Sequence, residues 1–91
     1  MTDKELLELA AKAAGIEVTP NLNGWEEKYP MGWNPLTDDG DALRLAVKLG
    51  ILSHPLLQHY FAVETLMPEK DPYAATRRAI VRAAAEIGKT L

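Results

Sequence analysis

Three carboxylates fall within four residues at Asp38-Asp39-Gly40-Asp41. Oxygen ligands so grouped could hold a hard cation. The spacing lacks the alternating Asp/Asn pattern of a calcium loop. Acidic residues at a helix start also satisfy free amides and favour the helix dipole, so capping is the better reading. Arg77 is the second candidate. It lies on one helical line with Tyr73, Ile80, Ala84, Ile87 and Leu91. A guanidinium on an apolar stripe must be paired or reach water along its stem. Asp38, Asp39 and Asp41 are the matching anions, which predicts a structural ion pair between the two blocks. The sharper alternative makes Arg77, Arg44 and the Asn34-Pro35 turn a pocket for a phosphate or carboxylate.

Trp25, Tyr29 and Trp33 lie in or beside an irregular segment, Trp25 to Trp33. Exposed aromatics are enriched as interface anchors, so these three are the expected partner-binding residues. Trp33 abuts an expected strand and should also reach the core. His54 and His59 sit five apart around a proline, and no nucleophile–base order is readable from them. The glycines at 24, 32, 40 and 50 are isolated, so no phosphate-binding loop is present. With no cysteine, thiolate chemistry is excluded. No catalytic, cofactor or metal site is expected.

Helices must position these groups. Thr2-Asp3-Lys4-Glu5 is a capping box ahead of the stripe Leu6, Leu9, Ala10, Ala13, and Gly15-Ile16 has the form of a helix end. The first helix is expected over Asp3 to Ala14. A second starts between Thr37 and Asp41, carries Ala42, Leu45, Ala46 and Leu49 inward with Leu43 and Val47 at the edges, and stops at Gly50-Ile51. Asp71-Pro72 opens the last helix, with Arg78, Arg82 and Lys89 as a solvated strip opposite the apolar line. Between helices, Met31 to Trp33 and Gln58 to Thr65 read as strands. In the second, His59, Phe61 and Val63 would share a face. A loose hairpin arm is expected before Met31. The fold class that follows is α+β: one domain over residues 1–91, a small antiparallel sheet of about three strands flanked by three helices.

The block Trp33-Asn34-Pro35-Leu36-Thr37-Asp38-Asp39-Gly40-Asp41-Ala42-Leu43-Arg44 resembles a motif of the phage ABA sandwich domain family. Tyr73 to Ala84 is similar to that family's C-terminal helix, with a fainter similarity to NinX-type proteins of lambda-like phages. The resemblance implies an α-β-α sandwich of bacteriophage origin, and no established activity.

Ten Lys and Arg against 13 Asp and Glu leave a net charge of −3, unfavourable for tight nucleic-acid binding. No apolar run approaches a membrane span and no secretory signal opens the chain, so a cytoplasmic protein is expected, in the host cell during infection. The expected function is that of a non-enzymatic phage accessory protein that binds and modulates a host protein, for example a defence factor. The alternative is a binding protein that sequesters a nucleotide-like small molecule. A homodimer stays open, since two copies could build a site that one sequence hides.

Overall fold

The computed structural model describes residues 2–16, 19–20, 27–28, 32–66 and 71–91. Among them the fold is all-α. Helices α1 (Asp3–Ala14), α2 (Asp39–Leu49), α3 (Pro55–Glu64) and α4 (Pro72–Lys89) make up the body. The only β pairing among these residues joins the two-residue segments β1 (Thr19–Pro20) and β2 (Glu27–Lys28), antiparallel, with Thr19 opposite Lys28. The expected sheet flanked by helices, and with it the α-β-α sandwich, is therefore not formed.

The helix ends follow local chemistry. Thr2 Oγ1 accepts from the Glu5 amide at 3.2 Å. Gly15 and Gly50 end α1 and α2 in the left-handed region, at φ 70° and 65°, and free the following Ile16 and Ile51 to turn back onto the helix. Asp71 caps α4, with Pro72 in its first turn.

Two expected strands fail for different reasons. Met31 lies outside the described residues, but Gly32 has φ +70° and Trp33 is not part of a strand. Gln58 to Thr65 belongs to α3. His54-Pro55 starts this helix, with the His54 Nδ1 accepting from the Leu56 amide at 3.1 Å and Pro55 at a first-turn position. A short apolar run fits either period, and the helix is selected by packing. Leu57 and Glu64, two turns apart, both face α4 and are buried, whereas His59, Phe61 and Val63 share no buried face.

Helix α4 is the axis. The other three helices each pack against it, and α1 makes the longest contact. It buries Ala75, Ala79, Ile80, Val81, Ala83, Ala84, Ala85 and Gly88, nearly its whole circumference. Such a helix has to sit centrally. The line drawn from sequence through Tyr73 and Leu91 was too narrow: both are exposed, and small residues carry the core instead. Facing them, α1 buries Leu6, Ala10, Ala11 and Ala14. The two backbones meet at Gly88. A Cβ there would overlap the Leu9 carbonyl oxygen and lie 2.8 Å from its carbonyl carbon.

Gly88→Ala is a sharp check on this contact. Helix propensity favours the alanine by about 1 kcal/mol, while overpacking against fixed backbone costs about 1–3 kcal/mol or more. The obstacle is backbone, so the second effect wins. Denaturant melts should show a net loss of about 2 kcal/mol.

Candidate functional site

The aspartate cluster has three separate structural tasks. Asp38 caps α2, its Oδ2 accepting from the Asp41 amide at 2.7 Å. Asp41 accepts from the Asn34 amide at 3.0 Å and from Arg44 Nη2 at 2.7 Å. Asn34 closes its own turn, with Oδ1 accepting from the Leu36 amide at 3.1 Å. Asp39 faces the last helix: Arg77 Nη1 donates to its Oδ1 at 2.6 Å, and Arg77 Nε donates to the Leu36 carbonyl at 2.9 Å. The structure thus brings Asn34, Asp38, Asp39, Asp41, Arg44 and Arg77 into one network that ties α4 to the turn before α2. Among the described residues no group of three or more His, Cys, Asp or Glu is arranged to hold a metal ion.

The Asn34 amide, followed by the Arg44 guanidinium, holds the Asp41 carboxyl below the usual carboxylate range. Its contribution to stability is present above the unfolded value of about 3.9 and is lost as pH falls through the lower folded value.

Trp25 and Tyr29 lie outside the described residues. Trp33 is half-buried and packs against the core cluster. The basic strip on α4 is not simply solvated, because α1 and α3 flank that side. Arg78 Nη1 donates to Asp3 Oδ1 at 2.8 Å, and Arg82 Nη1 donates to Glu64 Oε1 at 2.8 Å. Glu64 is a buried carboxylate that two arginines face, with Arg78 Nε at 3.5 Å. The Arg82 guanidinium also stacks 4.5 Å over the Tyr60 ring. Burial, then a hydrogen bond to Glu86, pushes the Tyr60 phenol above its ordinary value. Lys89 reaches Glu86 at 2.9 Å.

What sequence reasoning missed is the open side of the molecule. α2 and α3 pack on α4 rather than on each other. Between them runs a groove of about 440 Å³. Leu43 forms one wall, Leu57, Gln58, Phe61 and Ala62 of α3 the other, Leu52 closes an end, and Thr76 with Ile80 forms the floor. A second hollow of about 390 Å³ shares Leu43, Thr76 and Ile80 and continues to Tyr73 and the Arg77–Asp39 pair. Leu43, Leu52 and Phe61 are 55%, 56% and 44% exposed. Val47 adds to the same edge of α2. Among the described residues no charged side chain lines the first hollow; those lining the second include one cation and one anion, already paired. The signal available in sequence was faint: Leu43 and Val47 as edge residues of the second helix.

Among the described residues no helix is long and apolar enough to cross a membrane. Comparison with known families, with curated proteins and with solved structures returned no match.

Two outcomes follow for the polar network. Arg77 is 17% exposed and Asp39 67%, so their ion pair is half-screened while the Leu36 bond is not. Arg77→Ala should cost about 1–2 kcal/mol, Asp39→Ala under about 1 kcal/mol, and a double-mutant cycle should return a coupling of about 0.5–1 kcal/mol. Separately, Asp41→Asn should destabilise at pH 7, and urea melts should show its deficit shrinking once the pH drops below about 3.9.

Proposed function

We propose that this protein is a non-catalytic binding protein that takes an apolar segment of a partner protein into the groove between α2 and α3. The observation that carries this is a preformed trough without free charge, walled by Leu43, Leu52 and Phe61 and floored by Ile80. Contiguous apolar surface of this kind usually marks an interaction site. Apolar side chains from α2, α3 and α4 around one trough suit the apolar face of an amphipathic helix, read through anchors at i, i+4 and i+7. Under the reading carried by the two phage-like blocks, the partner is a host protein in the cytoplasm of an infected cell. A nucleotide-like ligand is disfavoured, because at Arg44 and Arg77 its phosphates would have to displace Asp41 and Asp39.

A displayed library of amphipathic helical peptides tests the groove. Selected binders should carry apolar anchors at helical spacing. Leu43→Glu or Leu52→Glu should weaken them by about tenfold or more, with melting curves unchanged. Binders whose affinity neither substitution alters would refute the proposal.

A further inference from the structure

We infer that the partner segment carries one side-chain amide, an Asn or a Gln, within its otherwise apolar face, and that Gln58 of α3 reads it. The inference rests on the proposed docking in the groove and names the partner's chemistry.

Gln58 and Thr76 are the polar side chains among the described residues that line the trough. Gln58 is set within the α3 wall rather than at its rim. Around the helix, Phe61 lies about 60° from it on one side and Ala62 about 40° on the other, and both also line the trough. A segment laid along that wall passes over Gln58.

The two polar groups differ in what they offer. Thr76 Oγ1 donates its hydrogen to the Pro72 carbonyl at 2.8 Å, which leaves it only lone pairs to present. The Gln58 carboxamide makes no hydrogen bond among the described residues, and the residue is exposed. A wholly apolar segment covering it would strip its water and leave the amide unpaired, which is costly. A carboxylate on the partner offers no donor and an ammonium no acceptor. Either would also bring an unpaired charge against an apolar lining. A hydroxyl presents donor and acceptor on a single atom, which cannot meet both ends of the amide in line. A second carboxamide offers both at the right separation and pairs with Gln58 reciprocally.

The consequence is register. Leu43, Leu52, Phe61 and Ile80 would take the apolar anchors of one helix in registers a turn apart, because apolar contact is non-directional. One amide pair inside that contact has a single solution. A lone core Asn fixes the register of a coiled coil in the same way. Gln58 also works against a wholly apolar helix, so its effect is on discrimination more than on affinity.

The displayed helical library, selected in parallel on the wild type and on Gln58→Leu, tests this. Wild-type binders should carry Asn or Gln at one anchor position, and Gln58→Leu binders should carry Leu, Ile or Met there. Exchanging that one peptide residue should reverse the preference. The amide peptide should bind the wild type about tenfold tighter than its Leu version does, and the Gln58→Leu protein about tenfold more weakly. Leucine is a good helix former, so the circular dichroism spectrum of Gln58→Leu should be unchanged. The same apolar anchors selected on both proteins, with binding still sensitive to Leu43→Glu, overturn the inference and leave the groove reading standing. Binders on which Leu43→Glu has no effect remove the groove reading and this inference with it.

Discussion

The close approach of α1 and α4 at Gly88 is the constraint from which the rest of the structure follows. With Ala10, Ala11 and Ala14 on one helix and Ala83, Ala84, Ala85 and Gly88 on the other, the two backbones come nearer than leucine-sized side chains allow. Dispersion between so many close atoms replaces the burial that larger side chains would give. The arrangement has little slack. Small residues leave no flexible side-chain ends to move aside, so the helix pair has one separation and one rotation. α4 is thereby fixed as an axis, and α2 and α3 have to find their places against its remaining surface.

The arginines of α4 decide those places. Arg77 holds the turn before α2 through the Leu36 carbonyl and Asp39. Arg82 holds the end of α3 through Glu64, and the middle of the same helix through the Tyr60 ring. Arg78 touches both neighbours, Asp3 of α1 and Glu64 of α3. Partly buried ion pairs add little net stability once desolvation is counted. Their effect is on position: a wrong register would leave Glu64 enclosed without a cation. These polar contacts have a single solution and supply the register of α2 and α3 on α4.

Much of this was legible residue by residue. The Thr2 capping box, the Gly15-Ile16 and Gly50-Ile51 endings and Asp71-Pro72 are local signals, and local signals set helix ends. Arg77 on an apolar stripe pointed to an aspartate of the 38–41 segment, and Asp39 meets it. The failures were tertiary. Gln58 to Thr65 is short and rich in β formers, and only the pairing of Leu57 and Glu64 against α4 shows its helical period. The expectation of a sheet came partly from the resemblance of two helical blocks, and those blocks contain no strand. Arg78 and Arg82 lie opposite the apolar line, and their partners Asp3 and Glu64 come from other helices, which spacing along α4 does not show. The groove was least legible, since Leu43, Leu52, Phe61 and Ile80 come from three helices and a turn and share no spacing.

The groove has a physical reason to exist. Exposed Leu43, Leu52 and Phe61 would gain by closing α2 onto α3, and burial of such side chains is worth about 1.5–3 kcal/mol each. Closure is blocked from both sides. α2 cannot roll inward without parting Asp39 from Arg77 and pulling the Asn34 turn off Asp41. α3 cannot roll inward without dragging Glu64 away from Arg82 and Arg78. Stranding the buried Glu64 costs about 3–5 kcal/mol, whereas the half-screened Asp39–Arg77 pair adds only about 0.5–1 kcal/mol. Both anchors sit on α4, whose own place is fixed by the seam with α1. The trough is thus held open, and under the proposed function an entering apolar segment would gain the burial that the protein itself cannot reach.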